Sequence, residues 1–438
     1  MKRVVMVGLV LILVVATAPM VTSAQTISYW SGIQITNLSD KDASVVIKFY
    51  NRDGTIAATI RVTVLPNDIM TYGTLDDWLN EGSAVSAVIS SDQPVAAIVN
   101  TMGNGLDYGA ASLGFSEGAS QVRLPLIMKD NYGYYTWYKV QNVSGSEDAV
   151  VSVTYSNGIT ESVQTIPPGA AHAYHQDELP DGFVGSATVT STGGKIAATV
   201  VEVGPTTLFV YNGFVGGATN PSMPLVQQNN YGYVTGIQIM NVGTVSTTVT
   251  VGYTAGAAGT DTTETKDIDP GASATFDMAV GGVPYLGGME VFIGSAAVVT
   301  NTASQELVVV VNQLNHGQNK GAAYSGFAPA NATDTLCMPL IMDRNYNYFT
   351  GCNIVNAGDL PTNITIECTG DLPSMPYPIF YLDPGDAITI VHLDQMADGY
   401  VGSCIAKAEY GGKILGICNE LNSAASGDAF LVYEAINF

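Results

Sequence analysis

The 438 residues carry 38 acidic against 15 basic side chains, a formal net charge of −23, in a chain that is 47% hydrophobic and only 12% charged. This balance excludes nucleic acids and anionic lipid surfaces as partners, since both need a basic patch. The apolar content excludes disorder, and with charge so sparse the surface must be covered mainly by Ser, Thr, Asn, Gln and Gly, which suits an extracellular setting.

The N-terminus reads Lys2-Arg3, an apolar run over residues 4–21, then Thr22-Ser23-Ala24. That is the layout of a secretory signal peptide, with cleavage expected after Ala24. An uncleaved anchor helix is the rival reading, because the run is near bilayer-spanning length; Pro19 and the small residues before Gln25 favour cleavage. The mature chain is expected to be secreted, with no membrane span.

Beyond the leader, one stretch recurs. Residues 223–241 read MPLVQQNNYGYVTGIQIMN; residues 124–142 and 338–356 repeat them as LPLIMKDNYGYYTWYKVQN and MPLIMDRNYNYFTGCNIVN, and residues 29–37, YWSGIQITN, repeat the second half alone. Proline turns follow at Leu65-Pro66-Asn67, Pro168-Gly169, Pro270-Gly271 and Pro384-Gly385. Gly-Ser-small segments come next, at Gly82-Ser83-Ala84, Gly185-Ser186-Ala187, Gly294-Ser295-Ala296 and Gly402-Ser403-Cys404. A period of about 100 residues is that of a whole domain.

Within each copy, short β-branched runs alternate with turn residues and no useful amphipathic helical pattern appears. The expected fold is therefore all-β: four tandem Ig-like antiparallel β-sandwiches, at 25–121, 122–220, 221–333 and 334–438 after a 1–24 signal peptide. The first copy lacks one flanking strand, the Met-Pro-Leu half of the repeat. An unpaired edge of that kind is a candidate head-to-tail assembly site. The links at 109–122, 216–222 and 328–336 are rich in Gly, Ala, Ser, Asn and Pro, so the array is expected to be elongated.

The signatures of common enzymes are missing. No metalloprotease, P-loop or dinucleotide motif occurs, and the single G-x-S-x-G match at 114–118 lies in a Gly/Ala/Ser-rich link without the strand–turn–helix context it needs. His172 and His175 have no evident third ligand. No enzymatic activity, metal or cofactor is expected. A polar residue ends the Val-rich strand of each copy, at Asn100, Glu202, Asn312 and Glu420; a hydrogen-bond anchor for a neighbouring loop is the plain reading and a repeated ligand contact the sharper one.

Aromatic clusters are the best candidates for a binding surface: Tyr132, Tyr134 and Tyr135, then Tyr231 and Tyr233, then Tyr346 and Tyr348. Such rings suit sugars and protein partners, and equally plain packing between consecutive sandwiches. All five cysteines lie in the last copy. Cys352, Cys368, Cys404 and Cys418 overlay Ile237, Tyr253, Ala296 and Val310 of the third copy, and so face the core. The turns between them favour pairing Cys352 with Cys368 and Cys404 with Cys418, with an inter-sheet pairing as rival. Cys337 is left over, free or linking two chains.

The MPLIM-x-x-NYGY-x-TGIQI pattern, the Pro-Gly turn, GFVGSA at 182–187 and YNGF at 211–214 resemble tandem Ig-like sandwich repeats of secreted, mostly uncharacterised surface proteins of environmental bacteria. The resemblance implies fold and location and supplies no site residues. Together these features point to a secreted structural or adhesive cell-envelope protein, with a self-assembling layer or filament subunit as one form. Its partners would be other surface proteins or copies of itself. The alternative is an extracellular glycan-binding array that uses the tyrosine loops on polysaccharide.

Overall fold

The computed structural model describes residues 8–12 and 28–438, except 67, 74, 76, 81–84, 104–106, 278–290, 375 and 423–426. Most of the expected leader and Gly82-Ser83-Ala84 thus lie outside the described residues. Apart from a 3-10 turn at Pro329–Asn331, the described residues form only strands, turns and bends. They build eight antiparallel sheets, two per copy of the repeat.

The second copy shows the plan. One sheet orders the strands Gln164–Ile166, Ala149–Tyr155, Phe183–Gly193 and Gln121–Lys129; the other orders Ala171–Tyr174, Tyr135–Asn142, Ile196–Val203 and Leu208–Asn212. Ala149–Tyr155 alternates buried and exposed residues as a sheet with one wet face should, and its Val151, Val153 and Tyr155 meet Val140, Val200 and Tyr211 of the other sheet in one core. Ile196–Val203 is buried along its whole length between two partners, which accounts for its loss of alternation. The third copy repeats this order, and the fourth adds Ile436–Asn437 beyond its leading strand Thr335–Asp343.

In the first copy the place of the leading strand is taken by Gly8–Ile12, which pairs antiparallel with Ser86–Ser91. Its register puts Ile12 opposite Ala87, where the other copies put Leu124, Met223 and Met338 opposite Ala187, Ala296 and Cys404. Part of the expected leader therefore occupies the slot that the sequence leaves vacant.

The expected elongated array is not what forms: the four units close into a ring. Ser86 Oγ donates to Gly169 O at 2.6 Å, Ser186 Oγ to Gly271 O at 2.7 Å and Ser295 Oγ to Gly385 O at 2.8 Å, the same bond at three successive seams. The ring shuts between the last unit and the first, where Gln34 Nε2 donates to Pro339 O at 2.6 Å and Asn100 Nδ2 to Glu420 Oε2 at 3.2 Å. The last strands of the units, Tyr108–Leu113, Leu208–Asn212, Lys320–Ser325 and Phe430–Glu434, each pack against the next around one axis. Equivalent contacts at successive seams mean that an approximate fourfold rotation relates the units.

Composition misled here for a physical reason. The small residues Gly109, Ala110 and Ala111, read as link, belong to an axial strand, where small side chains allow close approach. The remaining links are tied down by backbone bonds, Ala119 to Ile196, Ala218 to Leu307 and Ile414 to Thr333.

Candidate functional site

The three N-Y-x-Y segments are two-residue hairpins. Asn131 and Tyr134 exchange both backbone hydrogen bonds at 2.9 Å, and the residues between them, Tyr132 and Gly133, have φ of 50° and 82°. Two successive positive φ angles define the turn whose twist matches paired strands, usually filled by Asn-Gly. Tyr231 and Gly232 (50° and 86°) and Tyr346 and Asn347 (49° and 67°) repeat it. A tyrosine in this region is uncommon and costs about 1–2 kcal/mol relative to ordinary backbone. It is held there by the hairpin and by Asn315 Nδ2 donating to Tyr231 O at 3.0 Å, and Asn422 Nδ2 to Tyr346 O at 3.1 Å.

These turns project Tyr132, Tyr231 and Tyr346 into solvent at 93%, 90% and 87% exposure. The units being related by rotation, all three tips stand on one face of the ring. The other four tyrosines expected as binding residues do something else. Tyr134, Tyr135, Tyr233 and Tyr348 are half-buried at the seams: Tyr134 lies 6.3 Å from Phe209, Tyr233 lies 5.3 Å from Phe430 of the following unit, and Tyr135 packs with Tyr108 and Trp137 between the first and second units. The cluster thus divides into three exposed tips and a set of seam fillers.

Asn100, Glu202, Asn312 and Glu420 also lie at the seams, though not in one row. Register places Glu202 and Glu420 opposite Thr136 and Thr350, but Asn100 and Asn312 opposite Gly32 and Gly236, so the copies are offset by one residue. The offset makes pairs across seams: Asn312 Nδ2 donates to Glu202 Oε2 at 2.7 Å as Asn100 does to Glu420, and Gln313 Nε2 donates to Asn419 Oδ1 at 2.9 Å. Burial pushes both Glu202 and Glu420 up to about 8. Their arrangement joins units across the seams.

Asp428 is a residue that sequence reasoning missed. Its side chain accepts from Leu208 N at 2.7 Å and Gly321 N at 2.8 Å, and its own N donates to Asp107 O at 2.7 Å, so one buried residue of the fourth unit touches the other three. Burial raises its pKa against those donors and nearby Lys320. The seam serines carried a signal, since Gly-Ser-small and Pro-Gly recur together, but in the first copy the bonding residue is Ser86, three positions beyond Ser83.

The cysteines pair differently from expectation. Cys352 bonds Cys418 and Cys368 bonds Cys404, each between directly opposite residues of neighbouring strands in one sheet. These strands are adjacent in space without being consecutive, so the turns between cysteines gave no guide. Cys337 is unpaired and buried, with its thiol pushed up to about 12, which makes it unreactive and unable to reach a second chain. His175 lies against the Trp137 ring and His172 against Tyr174. Among the described residues no group of three or more His, Cys, Asp or Glu is placed to hold a metal ion, and no helix is long and apolar enough to cross a membrane.

No family model matches this chain, and neither does any curated protein sequence. Among solved structures, that of Thermotoga maritima 1070 is 17% identical over 26% of this chain and 95% of its own, with a TM-score of 0.20. The tetra-tandem repeat in the extending region of a large adhesion protein is 11% identical over 93% and 94%, at 0.11. A Salmonella alpha-2-macroglobulin mutant is 9% identical over 99% of this chain and 40% of its own, at 0.12. At such identities and scores these likenesses assign the chain to no family.

Proposed function

We propose that this is an exported cell-envelope protein, four Ig-like sandwiches closed into a ring, which acts by adhesion through the face bearing Tyr132, Tyr231 and Tyr346 and not by catalysis. The observation that carries this reading is the threefold placement of an exposed tyrosine at a turn position where asparagine or glycine would be less strained; such cost persists where the ring itself is used. The leader-like N-terminus and the two disulfides support export. Other envelope proteins or further copies of the chain are the partners it suits. The alternative partner is polysaccharide, since exposed rings with a polar edge stack on sugars.

Substituting Tyr132→Asn, Tyr231→Asn and Tyr346→Asn together tests the proposal. Asparagine tolerates the left-handed backbone, so the melting temperature should hold or rise while binding to isolated cell envelopes falls at least tenfold. Protease-treated and periodate-treated envelopes separate protein from glycan partners. Undiminished binding by the triple variant would refute the assignment of this face.

A further inference from the structure

An aromatic ring fills three of the four seams. Between the first and second units it is Trp137, buried against Tyr29 at 6.3 Å. Between the second and third it is Phe209, whose ring lies over Gly321. Between the third and fourth it is Phe430, against Tyr233. Cross-strand register identifies the equivalents at the closing seam, and all three are smaller: Gly32 stands where Trp137 does, Leu431 where Phe209 does and Gly109 where Phe430 does. A cavity of about 180 Å³ lies there, walled by Trp30, Gly32, Met102, Leu340, Tyr348 and Leu431. The rotation that carries Tyr29 onto Tyr348 carries the Trp137 indole into this space.

We infer that the cavity between the first and fourth units is a binding site for a neutral, planar aromatic small molecule of about indole size. A dry cavity of roughly 150 Å³ already admits a benzene-sized ring, and the three filled seams show that the architecture accepts rings at this level. Asn100 and Glu420 also border the cavity, and Asn100 Oδ1 is buried without a partner. An amide oxygen has two lone pairs to offer, so it accepts from a ring N–H or O–H and sets the ligand's orientation. Trp30, 37% exposed, lines the same cavity at the protein surface. This site is separate from the tyrosine face.

Calorimetric titration of the full chain with indole tests the inference. The wild type should bind one equivalent with a dissociation constant on the order of 0.1 mM. Leu431→Phe, which imports the residue used at the second seam, should weaken binding at least tenfold without lowering the melting temperature. Trp30→Ala, at a surface position, should weaken it several-fold and keeps the test decisive should phenylalanine disturb folding. The triple tyrosine variant should bind indole normally. No saturable binding to the wild type up to millimolar indole, or undiminished binding by both cavity variants, would overturn the site.

Discussion

Glu202 and Glu420 are buried at seams with an asparagine amide as their hydrogen-bond partner, and in each pair the second carboxyl oxygen and the asparagine Oδ1 lack one. Protonating the carboxyl adds a donor to a buried pair that is short of donors and removes a desolvated charge, so burial favours the neutral acid. Desolvation accordingly raises both groups from 4.5 to about 8. Between those values the unfolded chain has released a proton that the folded chain retains. Stability is therefore full below about pH 4.5, falls as pH rises to about 8, and levels off beyond, by at most about 1.4 kcal/mol per pH unit for each carboxyl. Melting curves from pH 5 to 9 should show this decline, and Glu202→Gln with Glu420→Gln should flatten it, since glutamine offers the same donor without titrating. An equal slope in the double variant would rule out these carboxyls as its source.

Among the elements, the strands were legible as short β-branched runs between turn residues, whereas the tyrosine hairpins were not: the sequence showed them only as aromatic clusters, because a tyrosine at positive φ is uncommon. Nor were the disulfide partners, because Cys352 and Cys418 meet through strands 66 residues apart. The slot of the first unit was legible as an absence, but not its occupant, since Gly8–Ile12 reads as leader. Removing residues 1–24 would take this strand away and leave Ser86–Ser91 with one neighbour. The other units bury Leu124, Met223 or Met338 at the equivalent point, so an open slot should accept such a strand from outside. A chain beginning at Gln25 should melt below the full chain, and a synthetic peptide of residues 121–129 in excess should restore several degrees, as about 2.7 kcal/mol at a hundredfold over its dissociation constant implies. A response equal to that of a scrambled peptide would mean that the slot closes on itself.

For the whole molecule, closure is a property of the seams, and no single copy announces it. The serine-to-turn bonds, the acid–amide pairs and the aromatic fillers each look like internal features when one repeat is read alone; rotation turns them into contacts between neighbours. Small residues at the axis are the clearest case, since Gly109 and Gly321 sit where chains approach closely, and the same composition in isolation means a flexible link. Closure has a measurable size. A compact chain of about 410 residues has a radius of gyration of roughly 22 Å, against about 13 Å for one 100-residue unit, so a linear string of four would approach twice the compact value. Small-angle scattering of the purified protein should give the lower figure. Asp428→Ala strips the acceptor from the buried N–H groups of Leu208 and Gly321, at about 1–3 kcal/mol each, and should lower the melting temperature clearly, with Asp428→Asn, which keeps one acceptor, falling between. If Asp428 joins the units and does not merely cap its own loop, the alanine variant should also widen the scattering profile on mild warming, before any loss of β-sheet signal. Simultaneous loss of both would mean that the ring and its sheets melt as one cooperative unit.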